Sequence, residues 1–403
     1  MEPKKLGPDA LRWAEGPNPP NSAASAPSPG PTPAQNGAQS HQPAVPNRDQ
    51  NLPPVYGALD LGTNNCRLLL ARPSRRGFRV VDAFSRIIRL GEGLTEAGRL
   101  SEPAMTRTFE ALRICAAKMT RHGVARARLV ATEACRVAGN GDAFIGRVRD
   151  QLGLDIEILA PEEEAKLAVA GCSSLIEPPA EYVLVFDIGG GSSEIIWLDL
   201  TRPGAWRRGP GRRVEVNEAI AAWTSLPVGV VTLAERFDGR NVTVESFEAM
   251  VASVTDMLQP FETRYKFRDK AKGRSLSLLG TSGTVTTIAG ILLGLPRYDR
   301  SKVDGTWLSV PDIMAVTHGL LAKTYEQRIA EPCIGRERAD LVLAGCAILE
   351  AILRMWPAER LRVADRGLRE GILTTLMLED GVWRSGRRRR GGGGPNGWHG
   401  DGP

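Results

Sequence analysis

The same strand–turn–strand pattern occurs twice in this chain of 403 residues, each time with an aspartate before the turn and glycine within it. The first copy, at residues 55–70, contains the run from Asp60 to Asn64. The second copy, at residues 182–198, contains the run from Asp187 to Ser192. Glycine adopts the backbone conformations of tight turns at little cost. Since a repeat at the scale of a domain sets the architecture, the pattern predicts two similar α/β lobes rather than a solenoid.

Each of these turns exposes a row of backbone N–H groups beside a carboxylate. Converging backbone N–H groups bind phosphate oxygens, and carboxylates bind Mg²⁺, which phosphate groups also coordinate. Asp187 and Glu194 flank the second turn, so this hairpin is a candidate site for both a phosphate and a metal ion. The alternative, for one hairpin taken alone, is a tight turn with two solvated acids.

A third glycine turn follows a buried strand at residues 275–279 and precedes a helix predicted over residues 285–293. The free N–H groups and the positive dipole end of a helix N-terminus favour an anion. One such turn is weak evidence, but three in one chain favour phosphate binding. If the first two turns face each other, they would line a cleft between the lobes. The predicted phosphate-binding residues of the three turns are Gly62, Thr63, Asn64, Gly189, Gly190, Gly191, Ser192, Gly280, Thr281, Ser282 and Gly283.

Three acids, Glu162, Glu163 and Glu164, follow Pro161 in the first turn of a predicted helix. Acids at this position ordinarily complement the helix dipole. If the helix points into the cleft, one of them could instead orient and deprotonate a water molecule beside a phosphate, and Glu164 is the candidate.

Three arginines, Arg67, Arg89 and Arg136, lie near the glycine turns or the cleft strands. Arginine binds phosphate through two parallel hydrogen bonds. A solvated arginine on a helix face is an equal alternative for each of them.

The net charge of +6 belongs mainly to the C-terminal tail, because residues 384–403 hold five Arg against one Asp. Residues 1–54 hold four basic and four acidic side chains, together with 13 of the 28 prolines. We therefore expect a disordered Pro-rich arm at residues 1–54 and a disordered Arg- and Gly-rich tail at residues 384–403. The nearly neutral remainder gives no support for a specific nucleic-acid-binding fold.

Strands that alternate with helices predict an α/β architecture with a central sheet in each lobe. The N-terminal lobe is predicted at residues 55–178 and the C-terminal lobe at residues 179–383, with the last helix crossing back to the first lobe. In the second lobe we expect helices over residues 244–257 and 339–355, and a surface loop at the Arg- and Pro-rich residues 202–213.

The six cysteines show no Cys-x-x-Cys pair and no spacing typical of metal ligands. Reduced and mostly buried thiols in a cytosolic protein are the simplest account. No apolar run reaches ~18 residues and no apolar signal core is present at the N-terminus. The expectation is a cytoplasmic protein without a membrane segment.

On these residues the chain resembles the exopolyphosphatase/guanosine pentaphosphatase (Ppx/GppA) family, over nearly all of residues 55–380. This family is part of the superfamily of actin, sugar kinases and chaperone ATPases, so the resemblance implies two actin-like, ribonuclease H-like lobes with a cleft between them. The segments that carry the resemblance are residues 58–64, 89–94, 131–136, 163–167, 187–194, 225–231, 280–284 and 365–371. Residues 163–167 and 187–194 are quite specific when they occur together.

The resemblance implies that Glu164 is the catalytic base and that Glu194 belongs to the same catalytic centre. It also implies that Asp60, Asp187 and Glu194 hold Mg²⁺ or another divalent cation, and that Arg136 supports phosphate binding. Two departures from the family pattern matter. Asn65 stands where relatives usually have Ser or Thr, which removes a possible hydroxyl contact. The chain resembles the short, two-lobe members, so the additional helical domain of long members is not expected.

The resulting hypothesis is a Mg²⁺-dependent hydrolase that releases terminal orthophosphate from inorganic polyphosphate or guanosine pentaphosphate (pppGpp). The expected partners are these ligands or guanosine tetraphosphate, with no specific nucleic acid, no membrane, and a homodimer left open. One alternative is an ATP-using sugar kinase or chaperone-type ATPase of the same fold, which the glycine turns also permit. Another is a non-catalytic sensor of guanosine tetra- or pentaphosphate, although a binder of anions gains nothing from added carboxylates.

Overall fold

The computed structural model describes residues 52–75, 77–207 and 213–383. Residues 1–51 of the predicted arm, the whole predicted tail and residues 208–212 of the predicted surface loop lie outside the described residues. Within the described part of the chain, no helix is both long enough and apolar enough to cross a membrane.

The first lobe is built on a five-stranded sheet. Its strands are β1 (Val55–Leu61), β2 (Asn65–Ser74), β3 (Gly77–Ile87), β4 (Val124–Ala131) and β5 (Glu157–Ile158). They lie in the order β3-β2-β1-β4-β5, with β1 antiparallel to β2 and parallel to β4. Every residue of β1 except Asp60 is buried, as expected for a central strand that is covered on both faces.

Five helices accompany this sheet. They are α1 (Leu94–Ala97), α2 (Glu102–Arg121), α3 (Glu133–Val137), α4 (Gly141–Leu152) and α5 (Pro161–Cys172). The apolar faces of α2 and α4 bury a core that includes Leu112, Phe144 and Val148 against the sheet residues Leu59 and Leu68.

The second lobe is built on a six-stranded sheet. Its strands are β6 (Tyr182–Ile188), β7 (Ser193–Asp199), β10 (Ile220–Leu226), β11 (Leu276–Thr281), β12 (Trp307–Ser309) and β13 (Arg360–Ala364). They lie in the order β10-β7-β6-β11-β13-β12, and β6 is antiparallel to β7 and parallel to β11. Two short strands, β8 (Trp206–Arg207) and β9 (Arg213–Val214), form a separate pair.

The helices of the second lobe surround a larger core. They are α6 (Val216–Ala219), α7 (Val230–Arg236), α8 (Val244–Tyr265), α9 (Phe267–Ala271), α10 (Gly283–Leu292), α11 (Arg300–Val303), α12 (Val310–Leu321), α13 (Tyr325–Ile329), α14 (Val342–Met355) and α15 (Leu368–Glu379). Helix α14 is buried along nearly its whole length, so it acts as the central helix of this core.

The two sheets share one plan, in which an antiparallel edge of three strands is continued by parallel strands. β3-β2-β1 in the first sheet corresponds to β10-β7-β6 in the second, and β4 corresponds to β11. The molecule is therefore an α/β protein with two mixed sheets of similar topology.

The last helix, α15, follows the second sheet in sequence but packs on the first. Its residues Ile372 and Leu373 share a buried cluster with Tyr56 and Ala58 of β1. It also crosses α5 very closely, because a Cβ atom on Gly371 would lie 2.0 Å from the carbonyl oxygen of Leu167. This crossing fixes α5, the helix that carries Glu164, against both sheets.

Several sequence-based boundaries were wrong in the second lobe. Helix α8 continues eight residues beyond the predicted end at Met257, through Pro260, because Leu258 and Phe261 keep its apolar face buried. Helix α14 starts at Val342 rather than at residue 339. The predicted loop at residues 202–213 contains β8 and the start of β9, and α12 had no counterpart among the predicted helices.

Candidate active site

The two repeated hairpins have equivalent turns. The backbone N–H of Gly62 donates to the carbonyl of Asn65 at 2.9 Å, and the N–H of Gly189 donates to the carbonyl of Ser192 at the same distance. Each hydrogen bond closes the turn directly after the strand that carries Asp60 or Asp187. The repeat that was read from the sequence is therefore a repeat of backbone geometry.

The two turns lie against each other. A Cβ atom on Gly190 would stand 2.9 Å from Cβ of Thr63 and 3.1 Å from the backbone nitrogen of Asn64. A Cβ atom on Gly191 would stand 2.8 Å from Oγ1 of Thr63. Glycine is required at these two positions because the lobes approach more closely than a side chain allows.

A cavity of about 140 Å³ lies where the turns meet. The predicted phosphate-binding residues that line it are Gly62, Thr63, Asn64, Gly189, Gly190, Gly191, Ser192, Ser282 and Gly283. The predicted acids that line it are Asp60, Glu164, Asp187 and Glu194. The structure thus brings together residues that are more than 200 positions apart in the sequence.

The third turn enters this cavity at the start of α10. Ser282 has a positive φ of 131°, and its hydroxyl accepts a hydrogen bond from the backbone N–H of Thr284 at 3.3 Å. Two other predicted residues of this turn lie elsewhere. Gly280 is not among the described residues that line the cavity; a Cβ atom there would meet the ring of Phe186 at 2.7 Å. Thr281 lines an adjoining cavity, and its hydroxyl donates to the carbonyl of Arg366.

The four carboxylates of the cavity influence one another. Burial raises the pKa of Glu164 well above its usual range, and the neighbouring carboxylate of Glu194 raises it further. Burial and the charge of Asp187 raise the pKa of Glu194 to about 7, although hydrogen bonds from Ser192 and Ser225 oppose the shift. Burial raises the pKa of Asp187 to about 6, and it also raises the pKa of Asp60. Carboxylates in this cavity are therefore stabilised when they hold a proton or face a cation.

Glu194 is held in place by two hydroxyl groups. Ser192 and Ser225 each donate to its Oε1 atom at 2.8 Å. Strand pairing sets Glu194 directly opposite Asp187. Two carboxylates from adjacent strands therefore face one point of the cavity wall.

Arg136 contacts carboxylates rather than the glycine turns. Its Nε atom donates to Oε2 of Glu133 at 3.1 Å, and its Nη1 atom lies 3.3 Å from Oε2 of Glu164. Nη1 also donates to the backbone carbonyl of Leu159. The guanidinium group is thus positioned to influence Glu164, while the predicted contact of Arg136 with phosphate stays a prediction.

Sequence reasoning missed several cavity residues. Glu133 lines the cavity and pairs with Arg136, and Arg338 lines it from the turns that precede α14. Arg338 stands in an irregular segment without periodicity or a motif, so no local signal marked it. Arg67 lines the cavity and faces Asp60 and Asp187, and its charge opposes the rise that burial causes in the pKa of both. Arg89 instead forms an ion pair with Asp340.

A second cavity of about 730 Å³ continues from the first and shares Asp60, Arg67, Asp187 and Arg338 with it. Its wall is rich in cations. The arginines that line it are Arg67, Arg86, Arg300, Arg336, Arg338, Arg366 and Arg369. Asn65 lines both cavities, so the amide that replaces a hydroxyl stands at their junction. The two cavities together form a cleft, in which the first cavity is lined by a cluster of acids and the second by seven arginines and five acids.

The acids offer oxygen ligands, which Mg²⁺ prefers. Among the described residues, no group of three or more His, Cys, Asp and Glu side chains converges as a preformed metal site. Mg²⁺ is commonly held by one or two carboxylates together with water and substrate phosphates. Asp187 and Glu194, which lie opposite each other on adjacent strands, fit that mode of binding. Burial is the main cause of the raised pKa values of Asp60, Asp187 and Glu194, and a cation would stabilise their charged forms.

These features define a two-lobed α/β protein whose paired glycine turns enclose a cluster of buried carboxylates. Residues 70–380 match the Ppx/GppA phosphatase family. Since the match covers most of the chain, the chain belongs to this family, and the resemblance seen in the sequence is confirmed.

Relatives with curated names carry two activities. The chain is 28% identical over 338 residues to the guanosine-5'-triphosphate,3'-diphosphate pyrophosphatase of Photobacterium profundum, over 80% of this chain and 59% of the relative. It thus spans less than two thirds of that protein. It is 28% identical over 333 residues to exopolyphosphatase 2 of Mycobacterium tuberculosis, over 79% of this chain and 97% of the relative.

Solved structures of the family share the fold. The Ppx/GppA family member of Aquifex aeolicus superposes with a TM-score of 0.63 at 27% identity, over 81% of this chain and 98% of that chain. An exopolyphosphatase of Cytophaga hutchinsonii superposes with a TM-score of 0.69 at 25% identity, over 81% and 98%. The predicted actin-like, two-lobed fold is thereby confirmed.

Proposed function

We propose that this chain is a phosphoanhydride hydrolase that releases terminal orthophosphate from inorganic polyphosphate, from pppGpp, or from both. The observation that carries the proposal is the meeting of two equivalent glycine turns around Glu164, Asp187 and Glu194 in one cavity. The turns supply N–H groups for phosphate oxygens. A buried carboxylate beside them supplies a base for water.

Glu164 is the proposed general base. A water molecule attacks the terminal phosphorus in line with the leaving oxygen, the new P–O bond forms, and the bond to the bridging oxygen breaks. Glu164 accepts the proton that the water loses. Its raised pKa suits this role, because a carboxylate whose pKa is raised by burial accepts a proton more readily.

The rest of the cavity positions the substrate and disperses charge. The N–H groups around Gly190 and at the start of α10 face the terminal phosphate, and Arg67 adds positive charge. Catalysis of phosphoryl transfer consists mainly of positioning and electrostatic stabilisation. The products are orthophosphate and a chain that is one phosphate shorter.

We also propose that Asp187, Glu194 and Asp60 hold Mg²⁺ together with the substrate. When bound, such an ion supplies charge neutralisation between phosphate oxygens and carboxylates. Ser192 and Ser225 keep Glu194 in a fixed orientation for this contact. Addition of EDTA to a phosphate-release assay tests this part of the proposal directly.

The basic cavity supports a substrate that continues beyond its terminal phosphate. Both polyphosphate and pppGpp place further negative charge there, next to arginines such as Arg338 and Arg369. The two curated relatives are named for one substrate each, so the proposal retains both.

The test is phosphate release in the presence of Mg²⁺ from long-chain polyphosphate and from pppGpp, with wild type and Glu164→Gln. Turnover of either substrate that collapses by about 10² or more in the variant, with binding retained, supports the hydrolase and its base. The ratio of the two rates identifies the preferred substrate. If the wild type binds guanosine phosphates tightly but releases no orthophosphate, the catalytic proposal is refuted in favour of a sensor. If it hydrolyses ATP alone, the ATPase alternative is favoured.

A further inference from the structure

The loop at residues 88–93 supports the first glycine turn from behind. The backbone N–H groups of Ile88 and Arg89 donate to the carbonyl of Asn64 at 2.9 and 3.1 Å, and the N–H of Gly91 donates to the carbonyl of Thr63 at 2.9 Å. Three hydrogen bonds therefore fix the orientation of this turn, and any displacement of the loop is passed to Thr63 and Asn64.

Arg89 has an unusual backbone conformation within this loop. Its φ of 47° lies in the left-handed region, which a residue other than glycine adopts only where its surroundings hold it there. Arg107 helps to do so, because its Nε atom donates to the carbonyl of Ile88 at 3.0 Å and its Nη2 atom donates to the carbonyl of Arg89 at 3.2 Å. This conformation aims the Arg89 side chain away from the first lobe.

The side chain of Arg89 crosses to the second lobe and ends on Asp340, 251 positions away in the sequence. Nη1 lies 2.9 Å from Oδ2 and Nη2 lies 3.1 Å from Oδ1, while Nη2 also donates to the carbonyl of Glu337 at 3.2 Å. The paired geometry is specific in direction as well as strong. The Asp340 side chain is only 13% exposed, so solvent screens this ion pair less than one at the surface.

The partner residue is fixed on its own side of the cleft. A Cβ atom on Gly239 would lie 2.0 Å from the carbonyl oxygen of Asp340, so the two backbones are in tight contact. Asp340 is followed directly by Leu341 and Val342, which line the acidic cavity together with Arg338. A single ion pair thus connects the first glycine turn to the opposite wall of the cavity.

We infer that the Arg89–Asp340 ion pair positions the proposed active site, by holding the first glycine turn in register with the cavity wall formed by Arg338, Leu341 and Val342. This inference rests on the proposed hydrolase function. Neither residue lines the acidic cavity itself, so both are positioning residues. A second cross-lobe hydrogen bond, from the backbone N–H of Gly93 to Oε1 of Glu235 at 2.8 Å, supports the same alignment.

The test compares Arg89→Gln, Asp340→Asn and the double variant in the phosphate-release assay with Mg²⁺ and polyphosphate or pppGpp. We expect each single variant to lose at least about tenfold in kcat with a smaller change in KM, since small misplacements around a reacting centre cost large factors in rate. The double variant should be no worse than the more affected single variant, because the two residues act through one contact. Arg89→Lys, which keeps the charge, should recover part of the rate.

The matched control is Asp82→Asn, which weakens the contacts of Asp82 with Lys118, Arg121 and His122 within the first lobe. The site is similarly buried, with 18% of the Asp82 side chain exposed. It should lower thermal stability and leave kcat within about twofold of wild type. Multiplicative losses of kcat in the double variant, or a loss of kcat in the control as large as in Arg89→Gln, would overturn the inference.

If wild type releases no phosphate from either substrate, the proposed function fails first. In that case, small-angle X-ray scattering still tests the inference. Arg89→Gln and Asp340→Asn should alter the arrangement of the lobes, whereas Asp82→Asn should not. An unchanged scattering profile for the first two variants would overturn the inference.

Discussion

The Nη1 atom of Arg136 lies 3.3 Å from the Oε2 atom of Glu164, and the other side of the same guanidinium is held by Glu133. Arg136 therefore acts on the proposed base through a fixed orientation. Burial raises the pKa of Glu164, the charges of Glu194, Asp60 and Asp187 raise it further, and the charge of Arg136 lowers it. The protonation of Glu164 therefore depends on its burial and on three nearby acids, which favour the protonated form, and on one nearby cation, which opposes it.

This balance predicts the effect of Arg136→Met on the pH dependence of kcat. Glu164 must be unprotonated to act as a base, so activity falls as pH drops through its pKa. Removal of the cation raises that pKa further, so the acid limb of the profile should move to higher pH. Arg136→Lys keeps a positive charge and should shift the limb less. A limb that stays in place or moves to lower pH in Arg136→Met would show that Arg136 does not act on the base.

The burial of these acids also leads us to expect that the site lowers the free energy of unfolding of the protein. The pKa of Glu194 rises from 4.5 to about 7 in the folded protein, so the folded state binds the proton more tightly than the unfolded chain does. Protonated Glu194 makes its full contribution to the free energy of unfolding below the pKa that Glu194 has in the unfolded chain. This contribution is lost as pH rises through about 7, the pKa of Glu194 in the folded protein. At about 1.4 kcal/mol per pH unit, the penalty at pH 8 is on the order of 3 kcal/mol.

Glu194→Gln should therefore raise the Tm at pH 8 in the presence of EDTA by at least about 2 °C, and the gain should be smaller at pH 5. Glutamine keeps an oxygen that accepts the hydrogen bonds from Ser192 and Ser225. Differential scanning calorimetry at the two pH values provides the measurement. The control is Glu162→Gln, at an exposed acid in the first turn of α5, for which no gain at pH 8 is expected. An equal Tm change for Glu194→Gln at both pH values would contradict the linkage.

The sequence was sufficient for the parts of the site that local patterns encode. An aspartate, a glycine turn and a flanking apolar strand predicted both hairpins, because the strand register and the conformational freedom of glycine depend on nearby residues. It could not predict contacts such as Arg89 with Asp340, because their partners are 251 positions apart and lie outside any motif. Arg338 also lies outside the segments that carry the family resemblance. Gly371 and Leu167 each end such a segment, but their close contact exists only once α15 has crossed to the first lobe.

The contact between the two glycine turns leads to the last prediction, which concerns Gly190→Ala. The added methyl group would stand 2.9 Å from Cβ of Thr63 and 3.1 Å from the backbone nitrogen of Asn64. Neither neighbour can swing away like the end of a flexible side chain, and Asn64 is held from behind by the N–H groups of Ile88 and Arg89. The turns must separate by several tenths of an ångström, so kcat/KM for phosphate release should fall by about tenfold or more.

The matched control for this variant is Gly146→Ala. Gly146 lies inside α4, and a Cβ atom there would have no neighbour within 4 Å. Alanine at an interior helical position is favoured over glycine by about 1 kcal/mol, so the control should be slightly more stable than wild type and equally active. Gly190→Ala should keep a cooperative thermal transition while it loses activity. If Gly190→Ala were as active as wild type, the turns would have to be free to separate in the functional state, and the close approach of the two lobes would not be a requirement of the reaction.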